Sequence, residues 1–286
     1  MADGPPRNVR GLLARLRNHC RATGLDQPRA QRHLAMMVVA QLLEGAVIKG
    51  GRNLEVRYGL RATRASTDLD VTRAVPLEAF LDRLDSTLAV GWQGFTATMR
   101  ERGPIAAPVP QDHRPYQVDI VTQYRGATGI GTVRLEVVPE EIDPPVTPEV
   151  VESRDATALF AALGLRPPAP VRLLPLAHQI AQKIHACTAP DDATTGRVNE
   201  RAHDLIDLQL LFRDLDASGR AALGPVTESL FAARGQHPWP PAATVRAGWR
   251  DAYQSALRGA PDLDLARDVV AAVAWLEDVI HSIVDG

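Results

Sequence analysis

Apolar residues recur at helical spacing in the first 45 residues of the chain. In NVRGLLARLRNHCRATG they run from Val9 to Leu16 at helical intervals, and Gly24 closes the pattern. The segment DQPRAQRHLAMMVVAQLLEG predicts a second helix, with Asp26 as its N-cap and Pro28 in its first turn. The chain therefore opens with two predicted helices.

The pattern then changes to short strand-like runs. AVIKGG is an apolar strand running into a glycine turn, and TDLDVT alternates polar and apolar positions as a strand does. After the amphipathic helix PLEAFLDRLDSTLAVG come three further runs, FTATMRE, YQVDIVTQY and TVRLEVV, the last two joined by the glycine-rich RGATGIG. This order predicts an α+β fold in which helices pack on a small mixed sheet.

From about residue 143 the chain becomes proline-rich and then helical. DPPVTPE and RPPAPVR suit a boundary or an extended connector. Helical patterns follow in LAHQIAQKIHACT, NERAHDLIDLQLLFRDL, GRAALGPVTESLFAARG and LDLARDVVAAVAWLEDVIHSIV. We therefore predict one domain at residues 1–143 and a mainly helical C-terminal domain at residues 144–286.

Composition narrows the class of protein. The 286 residues suffice for one large domain or two modest ones, and 45% hydrophobic with 23% charged residues is typical of globular proteins. No apolar run approaches the length of a membrane span, and the N-terminus lacks the apolar core of a secretory signal. The two cysteines, Cys20 and Cys187, form neither a disulfide framework nor a metal-ligand pattern. We expect a cytoplasmic protein without membrane contact.

Charge is unevenly distributed along the chain. Residues 1–64 contain twelve Arg and Lys against four acids, a net charge of +8, although the whole chain carries −2. A basic end on a nearly neutral protein favours a contact surface for a polyanion. A solvated helix face in an arginine-rich chain explains the same count, and both interpretations stay open.

Two aspartates one residue apart lie in the second predicted strand. Alternate side chains of a strand share a face, so the carboxylates of Asp68 and Asp70 can converge. Like charges about 4 Å apart repel by about 4 kcal/mol at an effective dielectric near 20, so such a pair requires a cation or a proton. Oxygen ligands of this kind suit Mg²⁺. A solvent-facing pair on an edge strand is the alternative.

A glycine pair precedes these aspartates. Gly50 and Gly51 let backbone N–H groups approach a phosphate, and the adjoining Lys49 and Arg52 add positive charge, although turns use such glycines freely. Lys49 is also one of only two lysines among 32 basic residues; Lys183 is the other. A strand, a glycine pair and then two carboxylates place a phosphate cradle beside a metal site, as nucleotidyl transfer requires.

The segment VIKGGRNLEVRYGLRATRASTDLDV resembles the polymerase-beta-like nucleotidyltransferase superfamily. More narrowly, KGGxxL followed by RxSxDLD is similar to the AbiEii toxin nucleotidyltransferases, which include the MenT-like toxins. LAHQIAQKIHA and RAHDLIDLQLL resemble later elements of that family, so the resemblance covers most of residues 30–212. It implies a minimal nucleotidyltransferase fold, with the helical C-terminal domain closing the cleft.

The resemblance also implies site residues. The residues that match the triphosphate-binding positions are Gly50, Gly51, Ser66 and Lys183. Those that match the metal ligands are Asp68, Asp70 and a third carboxylate, for which we prefer Glu136 over Asp119 because of its place after the glycine hairpin. Asp204 matches the family's downstream aspartate, which orients Lys183 or the acceptor.

The chain also departs from the superfamily pattern. Arg52 stands where Ser or Thr is usual, so a hydroxyl contact to phosphate is missing, and Ser66 can supply it. The insert between Gly51 and Asp68 is also longer than in the superfamily pattern. Lys183 and Asp204 also have structural explanations. Lys183 can lie at the border of the apolar face of its helix, and Asp204 can form surface ion pairs with Arg201 and His203.

The implied activity is Mg²⁺- or Mn²⁺-dependent transfer of a nucleoside monophosphate from an NTP to the 3′ acceptor end of tRNA, which blocks translation. The implied partner is a separately encoded antitoxin. Two alternatives remain: an acceptor that is a protein hydroxyl or an aminoglycoside-like small molecule, and a catalytically silent module that binds RNA or a partner.

Overall fold

The chain forms two compact units. A computed structural model describes residues 4–105, 114–140, 146–191, 196, 198–259 and 264–285. The first unit comprises the chain up to Arg61, Ala65–Glu140 and Pro148–Leu173. The second contains Ala62–Arg64, the short stretch before Pro148 and the chain from Leu174 onward. No helix within the described ranges is both long and apolar enough to span a membrane.

The first unit opens with the two predicted helices, α1 (Val9–Thr23) and α2 (Gln27–Leu42). The side chain of Asn8 caps α1 by accepting from the N–H of Gly11 at 2.8 Å. Asp26 caps α2 as predicted, because its Oδ1 accepts from the N–H of Arg29 at 2.8 Å.

A seven-stranded mixed sheet forms the centre of this unit. The strands lie in the order β3-β4-β5-β2-β1-β7-β6. Their bounds are β1 Ala46–Lys49, β2 Asp68–Arg73, β3 Phe95–Pro104, β4 Tyr116–Tyr124, β5 Ala127–Pro139, β6 Glu149–Val151 and β7 Val171–Leu173. β2 runs parallel to β5 and antiparallel to β1, so the sheet is mixed. The predicted α+β class with flanking helices is confirmed.

Three more helices belong to the first unit: α3 Gly50–Tyr58, α4 Leu77–Val90 and α5 Arg154–Leu163. α4 was predicted from its amphipathic pattern, and α5 was not. α3 differs from the prediction of a glycine turn, because the helix begins at Gly50 itself and the glycine pair forms its first residues.

The second unit is helical among its described residues, as the apolar spacing predicts. Its helices are α6 Leu176–Thr188, α7 Asp204–Arg213, α8 Ala217–Arg234, α9 Trp249–Arg258 and α10 Val269–Val284, with a 3₁₀ turn at Arg201–His203. α9 was not recognised in the sequence.

The division of the chain differs from the predicted boundary at residues 143 and 144. Residues 148–173 belong to the first unit because β7 extends its sheet, with Leu173 paired to Ile48 in parallel register. α5 is also tied to α1, since Arg15 Nη1 donates to the carbonyl of Leu163 at 2.8 Å. The proline-rich stretch thus precedes sheet and helix elements of the first unit.

The core of the first unit contains one buried histidine, His33, on α2. Its side chain is 0% exposed, and neither ring nitrogen has a hydrogen-bond partner among the described residues. Burial penalises the charged form and lowers the pKa of His33 from 6.5 to about 4. The imidazole is therefore neutral at physiological pH and packs as a core side chain.

We expect His33 to make the protein acid-sensitive. Its folded pKa lies below its unfolded value, so the unfolded state binds more protons between pH 6.5 and 4, and stability falls as the pH falls through that window. The contribution is about 3 kcal/mol. Urea unfolding at several pH values should show a flatter pH dependence in His33→Leu than in the wild type. His281→Leu, at an exposed histidine, is the control, and parallel curves for His33→Leu and wild type would contradict the prediction.

Candidate active site

Two carboxylates lie on one face of β2. Asp68 and Asp70 are partly exposed and alternate with Leu69 and Val71, whose side chains are fully buried. The hydroxyl of Thr67 donates to Asp68 Oδ2 at 3.0 Å. The predicted strand and its shared carboxylate face are both present.

The neighbouring strand β5 adds a third carboxylate to this face. In the parallel register Asp70 is paired with Glu136 and Asp68 with Arg134, at the usual strand spacing of about 4.8 Å. Gln117 on β4 donates to Glu136 Oε1 at 3.2 Å. Arg134 Nη1 lies 3.8 Å from Asp68 Oδ1, so a cation neighbours the carboxylate pair.

Asp119, the other candidate for the third carboxylate, lies one strand further from β2. It is on β4, opposite Arg134 of β5. Arg102 Nε donates to Asp119 Oδ2 at 2.6 Å, and the side chain of Asp119 is only 12% exposed. Asp119 therefore belongs to an arginine ion-pair network, whereas Glu136 adjoins Asp70.

Gly50 brings the start of α3 against Asp70. Its φ is +67°, and a Cβ at this position would lie 2.0 Å from Asp70 Oδ2. Lys49, the residue before it, is paired with Asp70 in the β1–β2 register. Only glycine tolerates both the left-handed backbone and the approach of the carboxylate. The glycine pair and the carboxylate strand, separate in sequence, therefore meet at this contact.

Arg52 is buried instead of exposed to solvent. Its side chain is 3% exposed, and Nη1 donates to Glu55 Oε2 within α3. Glu55 is 0% exposed and also accepts from Arg29 Nη2 and from the backbone N–H of Ser66, each at 3.2 Å. One buried carboxylate thus joins α3, α2 and the segment that leads into β2. We call these residues the Glu55 clamp: Arg29, Arg52, Glu55 and the N–H of Ser66.

The carboxylates of this face have the right chemistry for a divalent cation. Oxygen donors are what Mg²⁺ prefers, and Mg²⁺ is usually held by one or two protein carboxylates together with substrate phosphates. In the part of the chain that the structure describes, no three His, Cys, Asp or Glu side chains are grouped closely enough to hold a metal ion. The oxygen donors of Asp68, Asp70 and Glu136 fit Mg²⁺ by their chemistry, and the three side chains would have to move closer together to bind one ion.

Lys183 and Asp204 lie in the second unit, in a buried ion-pair cluster. Lys183 Nζ donates to Asp204 Oδ1 and to Asp207 Oδ2, each at 2.6 Å. Arg64 holds Asp207 with two hydrogen bonds, at 3.0 and 2.7 Å. Both aspartates are 2% exposed or less, so these are not surface ion pairs, although Arg201 lies 3.6 Å from Asp204 as well.

The charges of this cluster stabilise one another. Burial alone would lower the pKa of Lys183, but Asp204 and Asp207 outweigh burial and raise it. Burial alone would raise the pKa of each aspartate, but Lys183 lowers both, with Arg64 contributing at Asp207. All three groups are therefore charged at neutral pH.

Sequence reasoning missed several residues around these sites. Glu55 was not singled out at all, and Arg64 appeared only as the first residue of the RxSxDLD motif. Asp207 was placed beside Asp204 without a role. The signal for Glu55 was present: an acid three residues after Arg52 can pair with it along a helix.

The glycine pair that opens α3 lies against the carboxylate strand β2, on a mixed sheet with flanking helices. The structure of MenT4, a nucleotidyltransferase toxin from Mycobacterium tuberculosis H37Rv, has a TM-score of 0.51 at 16% identity and covers 96% of this chain and 99% of its own. JHP933 from Helicobacter pylori is similar over 91% of this chain and 98% of its own, with a TM-score of 0.43 at 19% identity. No curated protein sequence matches significantly.

The family follows from the sequence match. The model of the nucleotidyl transferase AbiEii toxin family, of type IV toxin–antitoxin systems, matches residues 32–275. The chain therefore belongs to the AbiEii family of nucleotidyltransferase toxins, and it is a nucleotidyltransferase. The predicted resemblance is confirmed, and membership implies an NTP substrate and an antitoxin partner.

Gly50 allows a sharp test of the contact with Asp70. In Gly50→Ala the Cβ would collide with the carboxylate, so we expect the affinity for NTP in the presence of a divalent cation to fall at least about tenfold. Gly45→Ala is a matched control, since φ is +71° there but no atom lies within 4 Å of the added Cβ. Calorimetric titration measures both variants, and equal losses of affinity would show that backbone strain, not the contact, matters.

Lys183 should also be required for stability. Lys183→Met leaves Asp204 and Asp207 buried without their shared cation, which typically destabilises a fold by about 3–5 kcal/mol. Arg201→Met removes a cation that is 58% exposed and 3.6 Å from Asp204, so its effect on the free energy of unfolding should be small. Chemical denaturation compares the two variants, and similar losses would refute the structural role of Lys183.

Proposed function

We propose that this nucleotidyltransferase transfers a nucleoside monophosphate from an NTP to the 3′ acceptor end of tRNA. The reaction uses Mg²⁺, and Mn²⁺ is the substitute of similar chemistry. Modified acceptor ends cannot be aminoacylated, so translation stops in the cytoplasm where the toxin acts. The observation that carries the proposal is the shared face of Asp68, Asp70 and Glu136 beside Gly50.

The donor nucleotide is proposed to bind at the start of α3. Gly50 and Gly51 offer backbone N–H groups at a helix N-terminus, where phosphates bind favourably. Lys49, at the end of β1, adds positive charge beside Asp70. Ser66 supplies the hydroxyl that the chain lacks at position 52, because the Glu55 clamp holds its backbone N–H.

The carboxylates are proposed to hold the metal ion and to accept a proton. Mg²⁺ bound by Asp68, Asp70 and Glu136 would neutralise charge on the phosphates and favour ionisation of the acceptor. The acceptor oxygen forms a bond to the α-phosphorus. The bond between the α-phosphorus and the oxygen that bridges it to the β-phosphorus breaks. Pyrophosphate leaves, and the proton of the acceptor hydroxyl passes to a carboxylate of this face.

Lys183 is proposed to contact the triphosphate, with Asp204 orienting it. An ammonium group has three N–H donors, and two of them go to Asp204 and Asp207. The third N–H of Lys183 donates to a phosphate oxygen of the bound NTP. A lysine suits this role because its ammonium is a compact charge, and both carboxylates keep it protonated.

Labelled nucleotides test the whole proposal. Purified protein is incubated with total tRNA, Mg²⁺ and each α-labelled NTP in turn, and we expect label to enter tRNA. Asp68→Ala and Glu136→Ala should abolish transfer, because each removes a proposed metal ligand.

Asp119→Ala is the matched control for the same assay. It removes a carboxylate from the adjacent strand, where Asp119 pairs with Arg102, and should retain transfer. Loss of transfer in Asp119→Ala with retention in Glu136→Ala would exchange their roles. Binding of NTP without label in tRNA would refute the tRNA acceptor, and assays with aminoglycosides and proteins would then identify another.

A further inference from the structure

A cavity of about 490 Å³ lies in the first unit between α2, β5 and the segment before β2. Its lining includes Gln31 and Arg32 of α2, Thr132 of β5, and both Arg52 and Thr67. The volume falls in the range of about 300–1,000 Å³ that small-molecule sites occupy. No role in the chemistry proposed above uses this cavity, which we call the α2–β5 cavity.

Basic and neutral side chains line the α2–β5 cavity. Its described lining contains two arginines and no acidic side chain. Arg32 is exposed, whereas Arg52 is 3% exposed and its Nε has no hydrogen-bond partner in the described chain. Gln27 and Pro28, the first residues of the 16-residue helix α2, also line the cavity, so the positive end of the helix dipole borders it.

The cavity borders the start of α3, through Arg52, and the residue before β2, Thr67. Thr67 lines the cavity, and its hydroxyl is bonded to Asp68 at 3.0 Å. Asp70, the other aspartate of β2, instead lies against Gly50. The two carboxylates therefore have different neighbours, the phosphate loop at Asp70 and the cavity at Asp68.

We propose that the α2–β5 cavity binds a backbone phosphate of the nucleic-acid acceptor and so delivers the 3′ hydroxyl to Asp68. This inference rests on the proposed function, in which the triphosphate of the donor occupies the glycine loop. Transfer to a nucleic acid needs an anion site for the acceptor besides the one for the donor, and the cavity supplies this second site. Its ligand is a phosphodiester of a single-stranded RNA end.

Charge reversal and filling of the cavity test the proposal independently. The probe is a short, 5′-fluorescein-labelled single-stranded RNA with a 3′ hydroxyl, and its affinity is measured by anisotropy at several salt concentrations. Arg32→Glu should weaken binding about tenfold and reduce the salt slope by about 0.7, the value for one lost contact to single-stranded phosphate. Thr132→Trp fills the cavity from an exposed position and should weaken binding similarly.

A matched variant separates the cavity from the general positive charge of the N-terminal helices. Arg17 is an exposed arginine of α1 that does not line the cavity, so Arg17→Glu should leave the affinity for RNA nearly unchanged. Equal weakening by Arg17→Glu and Arg32→Glu would show a diffuse electrostatic field and overturn the proposal. Thermal denaturation confirms that each variant is folded.

The binding of NTP with Mg²⁺, measured by calorimetry, distinguishes the two sources of phosphate. If the cavity serves the acceptor, Arg32→Glu and Thr132→Trp retain the wild-type affinity for NTP. If both variants lose NTP binding as well, the cavity holds the donor and the proposal is wrong. No binding of the RNA to the wild type also overturns it.

RNA binding and transfer of label, measured on the same variants, separate the role of the cavity from the proposed reaction. RNA binding that depends on Arg32 and Thr132, without any transfer of label, would leave the cavity as an RNA site and refute the proposed reaction. Asp68→Ala should abolish transfer and retain RNA binding, because Asp68 contributes no positive charge to the cavity. Loss of RNA binding in folded Asp68→Ala would contradict the placement of the acceptor.

Discussion

The close approach of Asp70 to Gly50 is the constraint on which the site depends. A methyl group at Gly50 would collide with the carboxylate of Asp70. The start of α3 and this carboxylate of β2 therefore lie side by side. The parallel register of β2 and β5 alone places Glu136 beside Asp70. Three short segments, distant in sequence, thus form one face because the sheet fixes their spacing.

Buried charge stabilises this molecule only where it is paired. In the first unit Glu55 lies between two guanidinium groups and a backbone N–H, and in the second unit Lys183 lies between two aspartates. Each arrangement satisfies ions that would otherwise be expensive to bury. Each also joins side chains of separate segments of its own unit.

Much of the fold was predictable because its signals are local. The period of the apolar residues predicted α1, α2, α4 and the first five strands, and the two motifs singled out the carboxylates and Lys183 as candidate site residues. The short strands β6 and β7 were not predicted because three residues carry no period; β7 pairs with β1, and β6 pairs with β7. The contacts of Glu55 with Arg29 and Ser66, and of Arg64 with Asp207, join segments distant in sequence, which no local pattern contains.

The Glu55 clamp links the identities of two positions. The buried arginine at position 52 depends on the acid at position 55 for charge compensation, whereas Glu55 also has Arg29 and the N–H of Ser66 as partners. Conversely, a Ser or Thr at position 52, as in the superfamily pattern, would leave the buried negative charge of Glu55 with one fewer positively charged partner. The effects of substitutions at positions 52 and 55 are therefore coupled through this buried ion pair.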